Sequence, residues 1–422
     1  MTPLYSLLGV LALTGLPLFI VLSALAITGF IAEDINPAIY FAELMRISSN
    51  STLIAIPLFT LAGYLLAESK APDRLVRLSV VLLGWLPGGL AIVALVVMAL
   101  FTAFTGASGV TIVAMGGLLL PTLLKGGYNE RFSLGLLTSS GSIGLLFPPS
   151  LPIIIYGVVS ETSIDKLFIG GMLPGILLVS AVSLFAMYQG WKIPRTAFSK
   201  SDILPAIKNA AWEIPLPIIV VGGIYGGIFT ATEAAVVTAS YLLLVECFIK
   251  RDIHPIRDLP NVLTKSSILI GGILLIIGSA LALTNYFIYV DIPSQMLEWI
   301  QSVVTSRMQF LLMLNIFLLI VGCTMDIFSA LVVVVPLILP LAKAYGVDPT
   351  HLGIIFLVNL EIGYSTPPVG LNLFLASFRF EKPILQLYRA TVPFLIIQLI
   401  VLMLVTYVPE LTLYPISLFS GQ

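Results

Sequence analysis

The chain has 422 residues, 59% of them hydrophobic and only 10% charged, with a mean hydropathy of +1.09, whereas soluble domains carry about 25% charged residues. That balance excludes a soluble enzyme or binding domain, and a net charge of −1 from 20 basic and 21 acidic residues leaves no global field for nucleic acid. Cys247 and Cys323 lie inside apolar runs, and with only His254 and His351 beside them they make neither a disulfide framework nor a transition-metal site.

In chain order, apolar runs long enough to cross a hydrocarbon core of about 30 Å predict full spans over 4–31, 50–68, 132–158, 166–190, 211–229, 232–249, 266–288, 351–377 and 391–410. The first has no basic n-region and is too long for a signal h-region, so it reads as a retained span. Segments 88–124 and 308–343 are equally apolar but are split by Gly106-Ala107-Ser108-Gly109 and Gly322-Cys323-Thr324, which predicts two re-entrant helical hairpins. The amphipathic stretches before them, Leu75 to Leu86 and Ile292 to Val304, fit helices lying along the interface.

Loops rich in Lys and Arg stay cytoplasmic. This layout puts 16 basic residues on one side and 4 on the other (Arg46, Lys166, Arg307 and Lys343). The N-terminus is then expected in the cytoplasm and the C-terminus in the periplasm, with the first hairpin opening from the cytoplasm and the second from outside.

Sliding the chain against itself by 219 positions superposes Pro121 on Pro340, Gly127 on Gly346, Gly144 on Gly363, Pro148 on Pro367, Pro149 on Pro368 and Pro174 on Pro393. Roughly half a match is expected by chance over that window, so the chain reads as a duplication. The first repeat covers about 48–190 and the second about 266–410, with connecting helices at 211–249. Five spans separate the hairpins, and an odd number turns the second copy over. The expected fold is therefore an all-α polytopic membrane protein of inverted-topology repeats, the architecture of secondary transporters.

Each repeat also carries a span interrupted mid-membrane, at Ser139-Ser140-Gly141-Ser142-Ile143-Gly144 before Phe147-Pro148-Pro149, and at Gly363-Tyr364-Ser365-Thr366-Pro367-Pro368. Proline removes a donor and clashes with the preceding turn. The stranded backbone groups are tolerable in lipid only where protein or a wet cavity receives them. Carbonyl ends and hydroxyls suit a hard cation such as sodium, and half-helix N-termini suit a carboxylate. Gly106, Ser108, Gly109, Ser140, Gly141 and Ser142 are assigned to one sodium site, and Gly322, Thr324, Asp326, Gly363 and Thr366 to the other. Ser139, Thr366, Asn372 and Arg379 are candidates to face a substrate; sodium is the coupling ion and no organic cofactor is expected.

Ionisable residues in apolar stretches are functional candidates by default. Asp326 reads either as a cation ligand or as the cap of the outgoing hairpin arm, Glu361 as a cavity-wall acid, and Arg379 as a carboxylate contact or a cationic helix end. Glu233, in Thr230-Ala231-Thr232-Glu233, reads as a helix cap or a subunit contact.

These stretches, together with Leu53-Ile54-Ala55-Ile56-Pro57-Leu58-Phe59, Phe147-Pro148-Pro149-Ser150-Leu151-Pro152, Thr232-Glu233-Ala234-Ala235 and Thr366-Pro367-Pro368-Val369-Gly370-Leu371-Asn372, resemble the large membrane subunit of TRAP (tripartite ATP-independent periplasmic) transporters over essentially the whole chain. The resemblance implies a sodium-coupled, elevator-type carrier of a small organic acid in the bacterial inner membrane. It also implies a scaffold beside a moving transport domain, a small four-helix membrane subunit and a periplasmic substrate-binding protein as partners. One departure stands out: many relatives place an acid near the position of Ala114, and this chain has none. The rival readings are a stand-alone sodium/carboxylate symporter of similar design and, more distantly, an ion channel. An enzyme is not expected, because no nucleophile-base pair, paired acids or metal cluster lies at membrane depth.

Overall fold

The computed structural model describes residues 16–48, 51–195 and 199–419, all helix and connecting turns with no strand among them. The expected first span before residue 16 and the start of the second at residue 50 lie outside the described residues. In chain order the helices are α1 (Leu18–Ala32), α2 (Ala38–Ser48), α3 (Ala55–Glu68), α4 (Ala71–Leu83), α5 (Gly89–Thr105), α6 (Ser108–Lys125), α7 (Glu130–Ser140), α8 (Leu151–Ser160), α9 (Ile164–Gln189) and α10 (Lys200–Asn209). They continue with α11 (Pro215–Tyr225), α12 (Ala231–Ile249), α13 (Leu259–Tyr289), α14 (Ile292–Val303), α15 (Arg307–Thr324), α16 (Ile327–Ala344), α17 (Pro349–Gly363), α18 (Leu371–Phe380), α19 (Ile384–Tyr407) and α20 (Glu410–Phe419).

Three of these helices fall outside the expected spans. α2, α10 and α20 are 11, 10 and 10 residues long, too short to cross a bilayer at 1.5 Å per residue. α11 is also shorter than the run 211–229 suggested. It contains a π-turn at Ile218–Gly222 and ends at Gly226 and Gly227, the latter at φ +67°.

α5 and α6 form one hairpin, α15 and α16 the other, and their tips are built differently. The first turns through Gly106, a left-handed residue at φ +63° that accepts no side chain cheaply. The second turns through extended Met325 into Asp326, whose Oδ1 accepts from Phe328 N and Ser329 N at 3.0 Å each. This is an N-cap. Asp326 Oδ2 accepts from Ser329 Oγ, so both carboxylate oxygens are engaged.

The broken spans are α7 with α8 and α17 with α18. The first passes through a 3-10 turn at Ile143–Leu146 and bends by 45°. The second leaves helix between Gly363 and Leu371, with Gly370 at φ +43°. Both Pro-Pro peptides are cis.

The duplication is visible in the elements themselves. α6 and α16 begin at residues 108 and 327, and α7 and α17 at 130 and 349, each a separation of 219. Their caps correspond as well: Asn129 accepts from Arg131 N at 2.8 Å and Asp348 from Thr350 N at 2.7 Å. The two copies interlock rather than lie side by side. The outgoing arm of the first hairpin, α6, packs on α18 of the second repeat, and the outgoing arm of the second, α16, packs on α8 of the first. Around this core α1, α2, α3, α12 and α13 pack on one another, and the interfacial α4 packs on α5 and α10.

Candidate functional site

Thr102 Oγ1 on α5 donates to Gly141 O at 2.8 Å, which ties the first hairpin to the first break. The hydroxyls of Thr102 and Thr111 on α6 form a second hydrogen bond at 2.7 Å. Gly144 is pressed against the hairpin's incoming arm so closely that a Cβ there would lie 2.0 Å from Ala99 O. Ser139, Ser140, Gly141, Ser142 and Ser108 are buried. The hydroxyls of Ser139 and Ser140 have no hydrogen-bond partner. Gln398 Nε2 on α19 donates to Ser139 O at 3.4 Å.

At the second break, Gly363 packs against the Gly322 backbone, where a Cβ would stand 2.6 Å away. Gly370 N donates to Cys323 O at 3.0 Å, and the Tyr364 hydroxyl accepts from Ile327 N. The hydroxyl of Thr366 is spent on Ile362 O at 2.8 Å and that of Thr324 on Ile320 O at 3.0 Å. The two breaks differ in access. Thr324 and residues 367–369 are exposed, whereas the first break is sealed.

The structure joins two residues that sequence reasoning gave to separate jobs. Ser108, at the first hairpin tip, donates to Asn372 Oδ1, in the first turn of α18, at 2.8 Å. Both are buried, and Asn372 Nδ2 has no partner. Gly109 takes its place beside them, touching Leu375 of α18. Arg379, at the far end of α18, is exposed and lies across Gly116 and Gly117 of α6. Glu233 forms a capping box with Thr230, accepting from Thr230 N at 2.8 Å.

Sequence reasoning missed one cluster altogether. Arg74, on the interfacial α4, meets Glu213 and Asp252 at 2.5 Å each and Glu246 at 3.2 Å. The Glu246 side chain is 0% exposed and that of Glu213 1%. Asp252 also accepts from Lys70 N at 3.1 Å. Partial burial pushes the Asp252 carboxyl up, but the bonds from Arg74 and Lys70 outweigh it and hold it below its ordinary range. The available signal was a charged Glu246 inside an apolar run.

Interlocked repeats, each with a hairpin and a broken helix, in a chain whose described residues include seven helices long and apolar enough to cross a membrane, define a multi-pass membrane transport protein. The chain belongs to the DctM component family of tripartite ATP-independent periplasmic transporters, whose family model matches residues 5–411. It is 35% identical to the C4-dicarboxylate TRAP transporter large permease protein DctM of Vibrio cholerae, over 88% of this chain and 86% of that protein. With the corresponding DctM of Pseudomonas aeruginosa it is 37% identical over 88% of this chain and 87% of the relative. The isethionate TRAP transporter permease protein DctMQ of Oleidesulfovibrio alaskensis is 34% identical over 98% of this chain, which spans 66% of that longer relative. In fold the chain is similar to the crystal structure of the Alcanivorax borkumensis YdaH transporter, with a TM-score of 0.63 over 90% of this chain and 88% of that one at 13% identity.

Proposed function

We propose that this chain is the large permease subunit of a sodium-coupled uptake system for a small organic acid. One sodium ion occupies each repeat: Gly106, Ser108, Gly109, Ser140, Gly141 and Ser142 line the first site, and Gly322, Thr324, Asp326, Gly363 and Thr366 the second. Ser139, Thr366 and Asn372 face the substrate between them, with Arg379 at the exit. The observation that carries this reading is the bond from Ser108 to Asn372, because it couples a hairpin tip of one repeat to the half-helix of the other. An ion that orders the tip thereby orders the substrate's half-helix.

The substrate class rests on the names of the relatives, which include C4-dicarboxylate and isethionate transporters, and on half-helix N-termini that favour anions. Hairpins and broken helices move together as the transport domain in an elevator mechanism. The remaining spans and the interface arms α4 and α14 stay as the scaffold, with an apolar seam of about 250 Å³ between the first break and α11, lined by Phe104, Phe147, Pro148 and Pro217 among others. A small four-helix membrane subunit grips the scaffold, and a periplasmic binding protein delivers the acid. The system sits in the bacterial inner membrane, with the basic loops facing the cytoplasm. Each sodium ion entering down the membrane potential releases about 2.3 kcal/mol per 100 mV, and a tenfold gradient requires about 1.4 kcal/mol, so two ions drive strong accumulation of a singly charged acid.

Uptake by proteoliposomes carrying the permease, its small subunit and the binding protein tests the assignment. Ser108→Ala and Thr366→Ala should each shift the sodium titration to higher concentration. Titration curves that superpose on the wild type would refute the sites.

A further inference from the structure

Glu361, in α17, is 0% exposed, and neither of its carboxylate oxygens has a hydrogen-bond partner. Among the described residues no Lys, Arg or His forms an ion pair with it. The helices packed on α17 carry their charged groups at or near their ends: Arg307 on α15, Asp326 and Lys343 at the two ends of α16, Glu161 after α8, Asp165 and Lys166 on α9, Arg389 on α19 and Glu410 on α20. Asp348 and His351 belong to the opposite end of α17 itself, where Asp348 caps the helix.

The duplication fixes where Glu361 lies. Its counterpart in the first repeat is Ser142, 219 residues earlier, and Ser142 Oγ donates to Glu361 O at 3.2 Å. Two equivalent members of a pseudo-two-fold pair touch each other only beside the axis that exchanges them. The Glu361 backbone therefore lies where the two repeats meet, beside the first break at Ser142 and just before the second at Gly363. An acid at both equivalent positions would oppose two like charges in a dry interior. A hydroxyl in one copy and a carboxylate in the other leaves a single negative group at this pair of positions.

A carboxylate stripped of water, partners and counter-charge is too costly to stand as a free anion. We propose that Glu361 binds one small monovalent cation, a proton or a sodium ion, where the two repeats meet, as a position additional to the one in each repeat. The burial geometry carries the site itself; only its rank as an additional position rests on the sodium reading above. Because its counterpart in the first repeat is a serine, this position has no second carboxylate.

Difference infrared spectroscopy of the purified full chain in lipid nanodiscs tests the proposal without any transport measurement, so its failure is distinguishable from failure of the uptake assay. In sodium-free choline chloride at neutral pH, the wild type should show an un-ionised carboxylic acid band that Glu361→Gln lacks, which identifies the proton as occupant. A band that bleaches when sodium chloride replaces choline chloride, in the wild type and not in Glu361→Gln, identifies sodium. Should Glu361→Gln fail to accumulate, Glu361→Ser, which gives the position the residue carried by its counterpart Ser142, tests the same band. Absence of both an acid band and a sodium-dependent carboxylate change would overturn the proposal.

Discussion

Replacing Arg74 by methionine should cost more than almost any other single substitution outside the core. The guanidinium is the only cation that meets Glu213, Glu246 and Asp252 among the described ion pairs, and two of those carboxylates are essentially inaccessible to water. Removing one partner from a buried charged cluster costs about 3–5 kcal/mol, because the acids left behind are neither solvated nor paired. Total stabilities of about 5–15 kcal/mol leave little after such a loss. Thermal unfolding followed by size-exclusion chromatography in detergent should show Arg74→Met melting far below the wild type. Arg74→Lys should fall between, since a point charge cannot serve three carboxylates as a planar fork does. Adding Glu213→Gln and Glu246→Gln to Arg74→Met should restore much of the loss by removing the orphaned charges. A single Arg74→Met variant as stable as the wild type, or a triple variant no better than the single one, would refute the reasoning. The cluster also gives a pH dependence. The folded Asp252 carboxyl is held below its unfolded value of about 3.9, so its contribution is complete above that pH and is lost as pH falls through the depressed folded value.

Gly144→Ala should prevent accumulation of folded protein, because the new methyl would meet the Ala99 carbonyl at 2.0 Å with backbone on both sides of the contact. Gly272→Ala is its control: nothing lies within 4 Å of that position in α13, and the exchange should be neutral or raise the melting temperature by the roughly 1 kcal/mol of helix propensity that glycine forfeits. Thr230→Ala breaks the capping box with Glu233 and should cost about 0.5–2 kcal/mol. A transport rate unchanged per folded molecule would confirm that Glu233 is a cap; selective loss of small-subunit binding would point to the subunit contact instead.

What could be read from the chain beforehand follows from the range of the interactions involved. Hairpin tips and helix breaks are local: Gly106, Gly363 and the two Pro-Pro pairs constrain their own backbones, so their positions show in the residues themselves. The inverted duplication was legible because glycine and proline survive wherever backbone geometry is fixed. The short helices α2, α10 and α20 were not, since none contains an apolar run of spanning length. Nor was the Arg74 cluster, whose partners lie 139 to 178 residues away. Counting Arg74 as a cytoplasmic charge placed it on a side of the membrane without revealing what it holds. Ser108 and Asn372 were each singled out, yet nothing local indicates that they touch, and Asp326 was recognised as a candidate cap only on equal terms with a ligand.

The cross-packed arms bear on how the protein is made. Asn372, which receives the Ser108 hydroxyl, is 264 residues further along the chain, and at about 5–20 residues per second a ribosome needs on the order of tens of seconds to reach it. During that interval the first hairpin waits in or beside the translocon without its permanent neighbour, its polar tip sheltered by lipid headgroups, by insertase or by α5 alone. Nascent chains arrested before α18 emerges should accordingly crosslink from residues 106–109 to lipid or insertase, and released full-length chains should not.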